Sequence, residues 1–148
     1  MTDLGDFARL ASAEHGLVVV STLKGDSTIQ ASVVNAGVLD HPLTGAPVVG
    51  AVFVGGSRKL ANLRARPQIT VVARSGWQWV AVEGRAELAG PEDPLPGIDD
   101  ERLRILRREI FTAAGGTHDN WDEYDRVMAA EWRTAALVTP GRVYSPSG

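Results

Sequence analysis

Apolar and polar positions along the chain change period several times, and each change marks an element. Leu4, Phe7, Leu10 and Ala11 recur at helical spacing, with Asp3 ahead as a cap and Gly16 behind as a stop, so a helix is predicted through about Glu14. Leu17 to Leu23 is rich in β-branched residues and reads as a strand. Lys24-Gly25-Asp26-Ser27 is turn chemistry, and Thr28 to Asn35 returns as the second strand of a hairpin. Gly37 to Gly45 is expected to be a loop. Val48 to Val54 is apolar enough for a buried third strand. Gln68 to Ala73 predicts a fourth strand, Arg74-Ser75-Gly76 a tight turn, and Trp77 to Leu88 a fifth strand in which Gly84 suggests a bulge.

The last third reads as helices and one more strand. Gly90 to Asp100 holds three prolines and four acids and predicts a loop. Asp100 can cap a helix to about Ala114, with Leu103, Leu106 and Ile110 as its core stripe. Gly115-Gly116 breaks it, and Thr117 can cap another helix through about Trp132. Ala135 to Val138 and Arg142 to Tyr144 make a final strand bent at Pro140-Gly141. Short turns between neighbouring strands imply an antiparallel sheet. Six strands with glycine corners, plus helices over the open side, predict an α+β fold built on a small six-stranded barrel. No repeat, linker or low-complexity segment divides residues 1–148, so a single domain is expected.

Composition narrows the chemistry. The 148 residues are 44% apolar and 22% charged, an ordinary globular balance, and the formal net charge of −3 argues against general nucleic-acid binding. The chain has no cysteine, which excludes disulfides, thiolate metal sites and cysteine nucleophiles. His15, His41 and His118 are far apart and form no metal-binding spacing. No run is long enough for a membrane helix, and Met1 to Asp6 has no signal-peptide form, so a cytoplasmic protein is expected.

The segment Gly55-Gly56-Ser57-Arg58-Lys59-Leu60-Ala61-Asn62-Leu63-Arg64-Ala65-Arg66-Pro67 carries the most chemical information. Ser57 can cap a short helix that Pro67 stops. Arg58 and Lys59 then fall in the first turn, where the helix dipole disfavours cations. A bound phosphate or carboxylate would account for that placement; a solvated basic surface is the alternative. The Walker pattern fails because Gly56-Ser57 stands where Lys-Ser or Lys-Thr belongs, and no GxGxxG occurs. Asn62, one turn on, could reach the same groove. Arg64 and Arg66 could grip an acidic ligand tail or only complement the helix C-terminus. Gln30 and Ser32 alternate on one strand face, as ligand-lining or merely solvated residues. Trp77 and Trp79, two apart, could cover a flat ligand or seal an interface. Trp121, Tyr124 and Met128 at helical spacing read as core or interface. No Ser-His-Asp or paired-carboxylate set is visible, as expected where a cofactor carries the chemistry.

These segments in this order resemble the split β-barrel oxidoreductases that use flavins and deazaflavins, the group that includes pyridoxamine phosphate oxidase. Leu17 to Leu23 with Gln30 to Asn35 resembles the first barrel hairpin, Ser57 to Pro67 the cofactor-phosphate segment, and Trp77 to Val80 with Val82 to Leu88 the central strand. Trp121-Asp122-Glu123-Tyr124-Asp125-Arg126-Val127-Met128 followed by Arg142-Val143-Tyr144 resembles the actinobacterial branch that uses coenzyme F420. The resemblance implies a homodimer with cofactor sites at the interface. It implies that Ser57, Arg58 and Lys59 hold the cofactor phosphate, with Gln30, Ser32 and Asn35 near the ring and the tryptophan strand arriving from the partner. The resulting expectation is hydride transfer from reduced coenzyme F420 to a small conjugated organic acceptor, with the proton taken from solvent and no histidine essential. FMN chemistry on the same fold, or a non-catalytic carrier of flavin, deazaflavin or haem, are the alternatives.

Overall fold

The computed structural model describes residues 1–147. Six strands close a barrel in the order β1-β2-β3-β6-β5-β4, and every neighbouring pair is antiparallel. They are β1 (Leu17–Leu23), β2 (Ile29–Asp40), β3 (Pro47–Phe53), β4 (Gln68–Ser75), β5 (Gln78–Ala89) and β6 (Thr134–Tyr144). Four helices complete the fold: α1 (Leu4–Ala13), α2 (Arg58–Ala65), α3 (Asp100–Ala113) and α4 (Trp121–Ala130). The predicted six-stranded antiparallel barrel with covering helices is the fold observed. None of the described helices is long and apolar enough to cross a membrane.

Strand β2 decides the shape of the site. Its first half, Ile29 to Asn35, lies opposite β1, and its second half, Ala36 to Asp40, lies opposite β3. Residues 37–40 are therefore strand, where the glycine-rich sequence predicts loop. Gly37 is needed there because a Cβ would stand 2.3 Å from the Ala113 backbone at the end of α3. Strand β3 stops pairing with β2 at Ala51 but follows β6 to Phe53 opposite Thr134. The two strands diverge from that point, and the barrel wall splits. Helix α2 is connected to this end of β3 and drives Leu60 and Leu63 into the barrel core.

Two apolar clusters hold the elements together. The barrel interior joins Phe7 and Leu10 of α1 to Val20, Val71 and Val82 of the strands. Leu103, Leu106 and Ile110 of α3 pack outside the barrel on Val48 and Leu137. Burial on this scale, roughly 1.5–3 kcal/mol per large apolar side chain, supplies the main drive for docking the helices.

Several boundaries differ from the sequence pattern for local reasons. Asp99, not Asp100, caps α3 by accepting from the Arg102 amide. Helix α4 starts at Trp121 under an Asn120 cap rather than at Thr117, and it ends at Ala130. Strand β4 runs to Ser75, so the turn into β5 is shorter, and Trp77 lies in it. The irregularity foreseen at Gly84 is present: Glu83 lies opposite Arg142 but Gly84 opposite Pro140, so the extra residue is Gly141 of β6. A Cβ on Gly84 would meet the Thr139 carbonyl at 2.2 Å, which reserves the position for glycine.

Candidate functional site

The split opens into a cavity of about 640 Å³, within the usual range for small-molecule sites. Val33, Val34 and Asn35 of β2 form one wall, and Val52, Phe53 and Val54 another. Ser57 and Lys59 bring in the start of α2. Ile110, Phe111, Tyr124 and Met128 add an apolar wall from α3 and α4, and His15 and Arg133 complete the polar part. Among the described residues no carboxylate lines this cavity, although the chain as a whole is acidic. Lys59 gives it a local positive charge that favours an anion, while Arg133 is already paired with Glu131.

Helix α2 begins unlike a self-sufficient helix. Ser57 occupies the cap position, yet its hydroxyl makes no capping bond. That oxygen is buried with no hydrogen-bond partner. An unpartnered buried hydroxyl costs about 1–3 kcal/mol, which an oxygen-rich ligand would recover. The first turn holds no acid, and neither Arg58 nor Lys59 has an ion-pair partner among the described residues. The Lys59 ammonium stands 5.3 Å from the Phe53 ring centroid, which steadies it at the cavity wall. Arg58 is exposed and does not line the cavity. These residues fit a phosphate: a free hydroxyl, a helix N-terminus and cations converge, as the sequence suggests.

Other candidate residues are distributed differently. Asn35 lines the cavity and donates to the His15 carbonyl at 3.0 Å. Gln30 and Ser32 lie opposite Thr22 and Val20, so they face the barrel interior rather than this cavity. Gln30 accepts from the Thr22 hydroxyl at 3.3 Å, and the Ser32 hydroxyl is the second buried oxygen without a partner. Asn62 is buried and donates to Thr22 Oγ1 at 3.0 Å. It is a link between α2 and β1, not a groove residue, because that turn of the helix faces inward. Arg64 is held by Asp93 through two bonds of 2.7 and 2.8 Å. The acidic loop neutralises it, so it is not a free cation. Arg66 donates to the Leu23 carbonyl at 3.0 Å.

Trp77 and Trp79 do not reach this cavity within one chain. Trp77 is 97% exposed at the β4–β5 turn. Trp79 is half-buried and meets Tyr144 edge-on, with ring centroids 6.0 Å apart. Two cavity residues escape the sequence pattern. Arg133 follows α4, donates to the Val52 carbonyl at 3.3 Å and pairs with Glu131 at 2.8 Å. His15, scattered in sequence from every other candidate, stands on the cavity wall. Only tertiary contact brings either one to α2. Among the described residues no cluster of histidine and acidic side chains could hold a metal.

Tyr124 is unsuited to proton transfer although it lines the cavity. Its hydroxyl donates to the Arg107 carbonyl at 3.0 Å, and burial pushes the phenol up to about 12. Helix α4 is otherwise fastened to α3 by Asp125, which accepts from both Arg104 and Arg108. The Arg108 bond, reinforced by that of Arg104, holds the Asp125 carboxyl below its ordinary 3.8.

No family model matches the chain. Solved structures do. A putative pyridoxamine 5'-phosphate oxidase from Listeria innocua is similar at 14% identity, over 99% of this chain and all of its own, with a TM-score of 0.60. An F420 reductase is similar at 14% identity, over 86% of this chain and 88% of its own, with a TM-score of 0.57. A heme binding protein from Mycobacterium smegmatis is similar at 17% identity and a TM-score of 0.64, over all of this chain but 55% of its own. The architecture is thus the six-stranded barrel of pyridoxamine 5'-phosphate oxidase-like proteins.

Proposed function

We propose that the protein is an oxidoreductase that binds coenzyme F420 in the split of its barrel and passes hydride to a small conjugated organic acceptor. The observation that carries this reading is the buried, unpartnered Ser57 hydroxyl at the start of α2, beside Lys59 in a cavity without carboxylates. Ser57, Lys59 and Arg133 would hold the phosphate, with Arg58 adding charge outside. Asn35 and the valines of β2 would border the ring. When bound, the reduced cofactor would supply a hydride, which carries both electrons. The chain contributes binding, orientation and exclusion of water. Phe111, Tyr124 and Met128 offer an apolar wall for a flat acceptor.

A deazaflavin asks for more cations than FMN does, since a phosphodiester and a glutamate tail follow its ring. Pairing with Asp93 removes Arg64 from that count, and Arg133 is itself paired with Glu131, so Lys59 and Arg58 are the cations left for it. The F420 reductase among similar structures supports the same choice. Titration with coenzyme F420 and with FMN, each followed by fluorescence at one salt concentration, tests it. Tighter binding of F420 is expected; FMN bound tenfold more tightly would move the protein to flavin chemistry. A haem carrier is the second reading, supported by His15 on the cavity wall and by the similar heme binding protein. Haemin that binds tightly, with no turnover of any acceptor, would favour it.

The reading includes a cytoplasmic homodimer. Leu17, Val19, Ile29 and Val33 leave an apolar stripe exposed across β1 and β2, with Val19 directly opposite Val33. A contiguous apolar face of this kind marks an interaction surface, and a second copy would bury it beside the cavity. Light scattering at micromolar concentration should report a dimer, and Val33→Glu a monomer. A monomeric wild type would overturn this part.

A further inference from the structure

We propose that His15 is the proton donor to the reduced acceptor, which deepens the oxidoreductase reading above and rests on it. Four cavity-lining residues carry a titratable side chain: His15, Lys59, Tyr124 and Arg133. Tyr124 is committed to the Arg107 carbonyl and its phenol is pushed up by burial. Arginine stays protonated in proteins, and Lys59 is placed to neutralise an anion. Histidine is the side chain that both gives and regains a proton near neutral pH.

The surroundings of His15 support that role. It lines the main cavity and also a second cavity of about 320 Å³ between α1, β2 and the end of α3, so it stands on a wall shared by both. A proton lost on one side can be replaced from the other. The backbone is held in place: Asn35 donates to the His15 carbonyl at 3.0 Å, and the His15 amide donates to the Ser12 carbonyl at 3.3 Å. Its φ of 60° is left-handed, a conformation that histidine and asparagine adopt more readily than most residues. Gly16 follows with φ of 77° because a Cβ there would meet the Ala114 carbonyl at 2.2 Å. The turn that carries His15, an exposed residue, is thus fixed by its backbone contacts and not by the imidazole.

The chemistry closes with an enone as acceptor. Its β-carbon would receive one hydride, which carries two electrons, from the reduced cofactor, which is thereby oxidised and releases its ring N–H proton to water. The carbonyl oxygen gains negative charge, and the enolate takes the proton that leaves the imidazolium N–H. The neutral imidazole regains a proton from water.

The variant His15→Asn suits the left-handed turn and retains both backbone hydrogen bonds, so it removes the proton without removing the loop. With reduced F420 and cyclohexenone, turnover should fall by about a hundredfold or more, the usual worth of general acid catalysis, while the F420 dissociation constant holds within about threefold. A second readout needs no turnover: in histidine-labelled protein the His15 ring signal, identified by its loss in the variant, should shift when a phenolate acceptor mimic binds. Unchanged turnover in the variant with active wild type would overturn the proposal and leave the reductase reading standing. Wild type that turns over no acceptor would overturn both. A haemin Soret band lost with His15→Asn would make the residue a haem ligand instead.

Discussion

Helices α2 and α4 begin in opposite ways. Asn120 caps α4 by accepting from the Glu123 amide, and Asp122 and Glu123 fill its first turn with the acids its dipole favours. Helix α2 has a serine that caps nothing, no acid, and two cations where cations are disfavoured. The first arrangement completes itself with groups from its own chain. The second leaves a buried hydroxyl unpaired, which on the proposed reading an anion from outside would partner. Helix α4 is also closed by its side chains, since Asp125 binds two arginines of α3, whereas Lys59 has only the face of Phe53. One helix terminus is satisfied by its own chain and the other is not.

The contrast is sharpest at Lys59. Lys59→Ala should weaken cofactor binding by about 1–3 kcal/mol, because a charge-assisted hydrogen bond is lost, and should leave thermal unfolding of the ligand-free protein nearly unchanged. Binding to wild type should weaken as salt rises. Calorimetric titration of both proteins measures the difference; equal affinities with an intact fold would make α2 an ordinary basic surface.

The reverse pattern belongs to α4. Asn120→Ala should lower stability by about 1 kcal/mol, the typical worth of a cap, with the cofactor affinity unchanged. Urea denaturation beside the same titration checks both halves. A loss of affinity comparable to that of Lys59→Ala would mean that α4 and α2 are one unit.

Ser57→Ala is the closest test of the comparison itself. Removing a buried hydroxyl that bonds to nothing should leave the ligand-free fold as stable as before or more so, while removing one neutral hydrogen bond should cost binding about 0.5–1.5 kcal/mol. Destabilisation without loss of affinity, as at Asn120, would reverse the assignment. The smallest effect is expected at Arg64. Its partly exposed pair with Asp93 is worth about 0.2–1 kcal/mol, so Arg64→Ala should barely move the melting temperature and leave affinity alone. A large affinity loss there would return Arg64 to the cofactor's tail.

Much of the fold is legible because it rests on local chemistry. The β-branched run Leu17 to Leu23, the turn at Lys24 to Ser27, and the core stripe Leu103, Leu106 and Ile110 each state their element within a few residues. Strand β2 is legible only in its first half. The glycine at position 37 reads as a loop, and only the approach of Ala113 shows why a strand must contain it there. The cap of α3 moved by one residue because Asp99 and Asp100 are equally good in sequence, and geometry chose between them.

The sequence by itself determined the barrel, its helices and the anion-seeking start of α2, because backbone propensity, turn chemistry and a misplaced pair of cations are all properties of neighbouring residues. Tertiary structure alone decided which candidates share the site. It turned Gln30, Ser32 and Asn62 inward, gave Arg64 to Asp93, and brought Arg133 and His15 to Lys59 from opposite ends of the chain. The reason is register. A strand's side chains alternate between two faces, and which face meets a cavity depends on where the strands on either side begin to part. Here they part at Ala36 and Ala51, and no local pattern in the chain marks that point.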